Sequence, residues 1–257
     1  MKRARVAYGG AIHEARPEPP ANGIARVRLE DGRVLAEDAV VWLPPFEPRT
    51  VIALGLNYAD HAKELAFNAQ EEPLVFLKAP GALIGHRGQT RRPADATFMH
   101  YECELAVVIG RPARRVARAD AMQHVAGYTV ANDYAIRDYL ENWYRPNLRV
   151  KSRDTCTVVG PWLVDAADLG NPPSLALRTL VNGKVTQQGN TGDLIFDIPF
   201  LIEYLSAFMT LSPGDVILTG TPEGVVDVKP GDEVVCEIEG IGSLVNTIVG
   251  GDVFGRA

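Results

Sequence analysis

Three carboxylate side chains in this sequence have the types and spacing of a metal site. Glu102 and Glu104 lie two residues apart at the start of an apolar run, residues 105–109, that is typical of a buried strand. Because alternate residues of a strand leave the same face, we expect both carboxylates on one side. Asp133 ends a second apolar run further along the chain. Such an oxygen-only cluster is the ligand set that a hard divalent cation such as Mg²⁺ prefers.

Two other interpretations of these residues are weighed against the metal site. Two exposed glutamates on a solvated strand face would show the same spacing. The apolar run favours burial instead, and a buried carboxylate needs a cation or a proton. A multi-histidine site of the cupin kind would use His100, which directly precedes the segment, but the five histidines of the chain occur singly. The pattern therefore favours a carboxylate site over a histidine site.

The composition is that of a soluble globular protein. With 257 residues, of which 46% are hydrophobic and 23% charged, the chain fits one domain of ordinary size, or one large and one small. No apolar run approaches a membrane span, and the N-terminus lacks the apolar core of a signal peptide. The three cysteines show no paired spacing, so neither a zinc knuckle nor a disulfide framework is indicated. We expect a cytoplasmic protein with reduced thiols.

The formal net charge of −6 argues against general nucleic-acid binding. Against this background, one short segment is rich in cations. Its members are Arg137, Arg145, Arg149, Lys151 and Arg153. A solvated, salt-bridged helix face would explain them. A site for a small polyanion beside the metal would explain them equally, because arginine forks suit carboxylates.

Turn signals and apolar patterns predict a mainly β protein with few helices, rather than alternating βαβ units. Residues 1–48 are predicted to form a small N-terminal β region that ends in a proline-rich linker. Residues 49–257 are predicted to form the main domain. Its buried-type strands include residues 51–54, 74–77 and 157–164.

Helical periodicity predicts two longer helices. One covers residues 134–144 and would place Arg137 one turn beyond Asp133, beside the metal. The other covers residues 198–209, with Pro199 in its first turn.

Three weaker signals lie elsewhere in the chain. His61 and Glu64 are three residues apart on a predicted helix and can act on one water, although surface pairs of this spacing are ordinary. Lys78 ends a predicted strand and can point into a cleft or into solvent. The tight loop 219–224 could hold a carboxylate through its backbone N–H groups and the Thr221 hydroxyl, or be a purely structural turn.

Several segments together resemble the fumarylacetoacetate hydrolase superfamily over about residues 50–250. They are GLNYAD (55–60), FLKAP (76–80), YECEL (101–105), Asn132 with Asp133, Arg137 with Asp138, and LTGTP (218–222) with Gly224. In combination these segments are highly specific, whereas each alone is not.

The resemblance implies a fold and a metal. The fold is a fumarylacetoacetate hydrolase-like mixed β-sandwich roll with a small N-terminal β appendage, usually assembled as a homodimer. The metal is Mg²⁺ or Mn²⁺ held by Glu102, Glu104 and Asp133, which agrees with the independent interpretation of these carboxylates.

The resemblance also implies catalytic roles. In hydrolase and decarboxylase members, a His/Glu dyad on a mobile lid helix acts on water or substrate, and His61 and Glu64 match it. Lys151 resembles the active-site lysine of the superfamily. Arg137 and Thr221 match contacts to substrate carboxylates. Lys78 and Arg145, two cations from the patterns above, are added as candidates for substrate binding. The substrate-binding candidates are therefore Arg137, Thr221, Lys78 and Arg145.

Residues 141–154 and 160–162 are most similar to one branch, the bifunctional decarboxylases and isomerases of 4-hydroxyphenylacetate (homoprotocatechuate) degradation. That similarity implies metal-dependent decarboxylation, isomerisation or both, of a 2-oxo or 2-hydroxy-diene di- or tricarboxylate. The expected partner is a small anionic 2-oxo acid, with no nucleic acid and no membrane. The alternatives are a C–C hydrolase of acylpyruvates or fumarylpyruvate, an oxaloacetate decarboxylase, and a metal-binding or assembly module without catalysis.

Overall fold

The computed structural model describes residues 1–60, 71–140, 148–170 and 172–250, and it confirms a mainly β fold. Nineteen strands and two α-helices lie within these described residues. The strands are β1 (Lys2–Tyr8), β2 (Ala11–Ala21), β3 (Ile24–Leu29), β4 (Val34–Ala36), β5 (Val41–Leu43), β6 (Val51–Gly55), β7 (Leu74–Lys78), β8 (Leu83–Gly85), β9 (Gln89–Arg92), β10 (Met99–His100), β11 (Cys103–Ile109), β12 (Val125–Asp133), β13 (Ala135–Ile136), β14 (Thr157–Asp165), β15 (Ala176–Val181), β16 (Lys184–Asn190), β17 (Val216–Leu218), β18 (Glu233–Ile238) and β19 (Gly242–Gly250). The helices are α1 (Leu148–Lys151) and α2 (Ile198–Phe208).

A large sheet has β11 and β12 near its middle. Its strand order is β4-β3-β2-β1-β14-β12-β11-β17-β6-β7, with β5 paired to β1 and β8 to β14. Strands β11 and β12 are antiparallel, and their register pairs Cys103 with Asn132. Next to that pair, the Asp133 N–H donates to the Glu102 carbonyl at 2.9 Å. The register therefore brings the two predicted metal-binding segments side by side.

A second sheet covers one face of the first. It has the order β16-β15-β18-β19-β9, and its inward side chains join the main hydrophobic core. The odd-numbered side chains of β11, such as Leu105 and Val107, belong to that core together with Leu177 and Leu244 from the second sheet. Since strand side chains alternate, the even-numbered side chains of β11, including Glu104, leave on the opposite face.

The opposite face of the large sheet curls inward around a small core. This core is formed by Phe76 and by short side chains, including Ala53, Ala106 and Ala131. In a flat sheet, β7 would lie roughly 19 Å from β12, at about 4.8 Å per strand. The Lys78 side chain at the end of β7 nevertheless reaches β12, so the sheet must roll up. The two packed sheets and the roll are the predicted mixed β-sandwich roll.

The N-terminal strands have a core of their own. It includes Val6, Val27 and Trp42, and Trp42 packs edge-on against Trp162 of β14 with ring centroids 5.2 Å apart. Strand β1 also pairs directly with β14. This pairing makes the N-terminal strands part of the large sheet. A division into separate regions, residues 1–48 and 49–257, stays a prediction.

The predicted helix over residues 198–209 is confirmed as α2. The Asp197 side chain caps it by accepting from the Phe200 N–H at 2.9 Å, and Pro199 lies in the first turn. In the described parts of the chain, no helix combines the length and the apolar character needed to cross a bilayer.

The predicted helix over residues 134–144 is wrong for the part that the structure describes. Ala135 and Ile136 form β13, which pairs with β10, and a single 3-10 turn follows over Arg137–Tyr139. Residues 141–144 lie outside the described residues. The apolar spacing is compatible with both structures, and pairing with β10 outweighs the helical preference.

The buried His86 should make the stability of the fold depend on pH. Burial, followed by the charge of Arg87, lowers the pKa of His86 to about 3, whereas the unfolded chain has an ordinary value of about 6.5. Between these values only the unfolded state binds the proton, so stability falls as the pH drops through this window.

We expect His86→Asn to reduce this loss, because the amide oxygen can still accept the Val245 N–H that now bonds His86 Nδ1 at 3.0 Å. Between about pH 7 and about pH 5, the variant should lose about 2 kcal/mol less unfolding free energy than wild type. Urea unfolding at both pH values measures the difference. An equal loss of unfolding free energy between the two pH values in variant and wild type would contradict the prediction.

Candidate functional site

The three predicted metal ligands come together in the structure. Glu102 directly precedes β11, Glu104 lies on β11, and Asp133 ends β12. One carboxylate oxygen from each lies within 4.8 Å of the others, and all three residues are buried. The prediction that both glutamates leave one face is confirmed, because the same face of β12 presents Asp133 to them.

Glu104 is the member of the cluster that most needs a cation. The Gly220 N–H donates to its Oε2 at 2.6 Å, while its Oε1 has no hydrogen-bond partner among the described residues. Burial raises the pKa of Glu104 well above its ordinary value, and the charges of Asp133 and Glu102 raise it further. A buried, unpartnered carboxylate oxygen facing two other carboxylates is what a divalent cation would satisfy.

Two buried lysines also contact the carboxylates. Lys78 donates to Asp133 Oδ1, and Lys151 donates to Glu102 Oε2 and, at 3.0 Å, to Asp133 Oδ2. Burial lowers the pKa of Lys78, against the opposing charge of Asp133. Burial acts in the same direction on Lys151, but the charges of Asp133, Glu102 and Glu104 outweigh it, so the pKa of Lys151 is raised.

The described cations of the site are unevenly shared among the three carboxylates. Lys78, Lys151 and Arg137 each pair with Asp133 or Glu102, and among the described residues no cation pairs with Glu104. A divalent cation would supply positive charge to Glu104, and an anionic substrate would then balance the added charge. The donor set consists of hard oxygens, so the residues present fit Mg²⁺ or Mn²⁺.

The loop that follows β17 supports the cluster. Gly220 has a φ of +91°, which favours glycine, and a Cβ there would lie 3.0 Å from the Cβ of Asn57. The Gly220 N–H of this loop donates to the side-chain carboxylate of Glu104, and a contact of the loop with a substrate carboxylate stays a prediction. Thr221 is the next residue, and its buried hydroxyl accepts from Gln187 Nε2 at 2.9 Å.

Arg137 reaches the cluster from the 3-10 turn rather than from a helix. One terminal nitrogen of its guanidinium lies 3.9 Å from Glu102 Oε1, and its Nε donates to His100 Nε2 at 2.8 Å. Burial lowers the pKa of His100 to about 4, although the charge of Glu102 opposes this shift. His100 is therefore neutral at pH 7, and Arg137 keeps a full positive charge at the edge of the site.

The remaining cations of the predicted basic segment differ in position. The guanidinium groups of Arg149 and Arg153 lie over the Tyr139 ring, 4.6 and 5.3 Å from its centroid. Among the described members of the segment, Arg137 and Lys151 are the two that contact the carboxylates. Three predicted site residues lie outside the described residues, namely His61, Glu64 and Arg145.

The sequence analysis did not predict the contacts of two residues of the site. It considers His100 only as a metal ligand, whereas in the structure the His100 ring accepts a hydrogen bond from Arg137. The Gly220 N–H contact to Glu104 spans more than a hundred positions in sequence, since the two residues are 116 apart. Two sequence features mark these residues: His100 lies beside the glutamates, and Gly220 lies in a tight loop. Neither feature predicts which distant residue is contacted.

Residues 50–249 match the family model described as fumarylacetoacetate (FAA) hydrolase C-terminal. This match contains all the described site residues, from Lys78 to Thr221. It leaves the N-terminal strands β1–β5 outside.

Related proteins and structures add to this match. The chain is 64% identical over 200 residues to the 4-hydroxyphenylacetate degradation bifunctional isomerase/decarboxylase of Salmonella dublin, covering 78% of this chain and 47% of that protein. The structure of 5-carboxymethyl-2-hydroxymuconate delta-isomerase from Mycobacterium smegmatis is 41% identical, with a TM-score of 0.83, covering 97% of this chain and 99% of that one. The chain spans about half the length of the curated isomerase/decarboxylases that it matches.

A third match is the structure of fumarylpyruvate hydrolase from Pseudomonas aeruginosa in complex with Mn²⁺ and pyruvate. It is 32% identical, with a TM-score of 0.73, and the alignment covers 81% of this chain and 91% of that one. That protein therefore combines a divalent metal and a 2-oxo acid on a similar fold.

Replacing Glu104 by Gln should stabilise the metal-free protein while weakening metal binding. The variant removes a buried carboxylate oxygen that has no partner among the described residues, and its amide oxygen can still accept from the Gly220 N–H. In EDTA we expect a higher melting temperature for E104Q than for wild type. The Kd for Mn²⁺, measured by calorimetry, should rise about a hundredfold, and the rise in melting temperature with Mg²⁺ should disappear.

Glu14→Gln, at an exposed position on β2, is the matched control and should change neither quantity. If E104Q melted at a lower temperature than wild type in EDTA and still bound Mn²⁺ normally, Glu104 would be a structural carboxylate and not a metal ligand.

Proposed function

The chain belongs to the fumarylacetoacetate hydrolase family, and we propose that it is a metal-dependent decarboxylase, isomerase or both in 4-hydroxyphenylacetate degradation. Its substrate class is a 2-oxo or 2-hydroxy-diene di- or tricarboxylate. The observation that carries the proposal is the buried cluster of three carboxylates with two lysines and one arginine at its edge, in a chain 64% identical to a bifunctional isomerase/decarboxylase. Because the chain spans about half of that relative, the two activities are tested separately.

Glu102, Glu104 and Asp133 would hold the metal, which we propose to be Mg²⁺ or Mn²⁺. When bound, the ion supplies Lewis acidity toward the carboxylate and keto oxygens of a 2-oxo acid. The Oε1 of Glu104, which has no partner among the described residues, and the hard oxygen donors of the three clustered carboxylates support this assignment.

Arg137 and Lys151 act on the substrate in this proposal. The Arg137 guanidinium binds a substrate carboxylate, since its charge is not neutralised by its neutral partner His100. Lys151 contacts two of the three carboxylates that would hold the metal, which supports a role beside the 2-oxo oxygen that gains negative charge. A lysine held cationic by its neighbours can stabilise that charge or donate a proton to it.

The reaction we propose begins with 5-oxopent-3-ene-1,2,5-tricarboxylate. The bond between C2 and its carboxylate breaks, carbon dioxide leaves, and the electron pair moves through the double bond to the 2-oxo group of the product. Protonation of that oxygen gives 2-hydroxyhepta-2,4-diene-1,7-dioate. Transfer of a proton from this hydroxyl to the distal diene carbon then gives 2-oxohept-3-ene-1,7-dioate. Stabilisation of charge on one oxygen therefore serves both steps.

Three further assignments stay predictions. They are the His61/Glu64 dyad, a homodimer and a cytoplasmic location.

Cleavage of a C–C bond in fumarylpyruvate is the second candidate activity, favoured by the similarity to the fumarylpyruvate hydrolase of Pseudomonas aeruginosa. Product analysis separates the two, because hydrolysis yields two acids and decarboxylation yields carbon dioxide.

We expect the protein to release carbon dioxide from 5-oxopent-3-ene-1,2,5-tricarboxylate with Mg²⁺ and to stop in EDTA, after subtraction of the rate without protein. The Glu104→Gln variant in Mg²⁺ serves as the matched control and should resemble wild type in EDTA, because its metal site is incomplete. Isomerisation of supplied 2-hydroxyhepta-2,4-diene-1,7-dioate, without carbon dioxide release from the tricarboxylate, would restrict the proposal to an isomerase. If the protein catalysed neither reaction but cleaved fumarylpyruvate, the proposal would be overturned in favour of the hydrolase.

Replacing Lys151 by Met should stop turnover without weakening metal binding. The ammonium group competes with a cation for oxygens of Glu102 and Asp133, so its removal leaves them more negative. We expect kcat to fall by about a hundredfold or more, with a Kd for Mn²⁺ equal to or below that of wild type.

Steady-state kinetics and calorimetry measure the two effects of this change. Lys184→Met, at an exposed position on β16, is the control. A loss of metal affinity in parallel with kcat would mean that Lys151 only holds the carboxylates together.

A further inference from the structure

His100 and Arg137 form a hydrogen bond whose direction is fixed by chemistry. Arg137 Nε donates to His100 Nε2 at 2.8 Å, and a guanidinium has donors but no acceptor. His100 Nε2 must therefore be the unprotonated ring nitrogen. The other ring nitrogen, Nδ1, carries the proton and donates to the Tyr101 carbonyl at 3.0 Å. One neutral tautomer satisfies both contacts.

The backbone holds both residues in one small unit. His100 pairs with Ala135 in the two-stranded sheet of β10 and β13, and it also forms a bridge with Asp227. Arg137 follows β13 directly, and its N–H donates to the Phe98 carbonyl at 3.0 Å. The His100 side chain is fully buried, so a ring that turned away from Arg137 would lose this hydrogen bond without gaining one to water.

The contact uses Nε of Arg137, and within the described parts of the chain the terminal nitrogens of the fork have no hydrogen-bond partner. One of them lies 3.9 Å from Glu102 Oε1, beyond hydrogen-bond distance. The side chain is 24% exposed, so the fork opens toward solvent at the edge of the carboxylate cluster. A neutral acceptor orients the guanidinium without cancelling its charge, which a carboxylate in the same place would do.

We propose that His100 is a positioning residue that orients Arg137 to bind a substrate carboxylate through both terminal nitrogens. This inference rests on the proposed function, because it assigns to the site an anionic 2-oxo acid. It adds a residue that determines substrate affinity without touching the substrate. The acceptor at His100, rather than its size or its charge, is the property that matters.

Steady-state kinetics on His100→Leu, Arg137→Ala and the double variant test this inference. We expect KM of H100L to rise about tenfold with kcat changed less than about threefold, because the fork loses its orientation. In the R137A background, adding H100L should alter KM less than about twofold, because the guanidinium that His100 orients is absent there. Equal effects of H100L in both backgrounds would overturn the inference and indicate a structural role.

His100→Gln keeps the test valid if H100L is unstable. The glutamine side-chain oxygen can reach the place of Nε2 and accept from Arg137 Nε, so KM should return to within about threefold of wild type. The Kd for Mn²⁺ should be unchanged in both variants, because His100 acts through Arg137. His13→Gln on β2 is the matched control. A fall in Mn²⁺ affinity in step with the rise in KM would place the effect on Glu102 and overturn the inference.

Nitrogen-15 NMR of histidine side chains tests the geometry without any substrate. We expect one resonance pair, absent from H100Q, with a protonated Nδ1 and an unprotonated Nε2 at pH 7. In R137A the Nε2 resonance should shift, because it loses its donor. Protonation on Nε2 would overturn the inference even if the enzyme is active. Conversely, a wild-type protein that turns over no 2-oxo acid but shows this signature would refute the proposed function and leave the geometry standing.

Discussion

Burial of three carboxylates on one face of two paired strands is the constraint on which the rest of the site depends. Each of these groups would be costly to bury alone, and their mutual repulsion adds to the cost. The chain compensates with Lys78, with Lys151 and with the N–H of Gly220, yet among the described residues no cation pairs with Glu104 and its Oε1 has no hydrogen-bond partner. The feature that makes the metal-free cluster costly to bury is the same feature that would give it affinity for a divalent cation.

The curl of the large sheet connects this electrostatic constraint to the fold. Lys78 ends a strand that is four positions from β12 in the sheet order, and it can contact Asp133 only because the sheet rolls up. Short side chains on the concave face, such as Ala106 and Ala131, let the strands approach. Packing of the other face against the second sheet supplies the hydrophobic stabilisation that holds the roll together.

Around the cluster, neutral and charged groups have separate tasks. The Gly220 N–H and the His100 ring contact Glu104 and Arg137 without adding charge, whereas Lys151 and Arg137 place positive charge beside Glu102. All of these residues lie within residues 50–249, the part that matches the family model. The N-terminal strands share the large sheet through β1 and β14 but contribute none of the described residues of the site. The chemistry therefore belongs to the part of the chain that the family has in common.

The sequence by itself determined the kind of site and much of the fold. The ligand types, their two-residue spacing, the buried strands and the capped helix over Ile198–Phe208 follow from local rules of alternation and capping that act within a few residues. Only the tertiary structure decided which distant groups meet: Lys78 with Asp133, Gly220 with Glu104, and His100 with Arg137. Sheet register and curl set these contacts, and both result from packing summed over many strands. The same cause defeated the predicted helix after Asp133, where pairing between β10 and β13 outweighs a local apolar period that fits either structure.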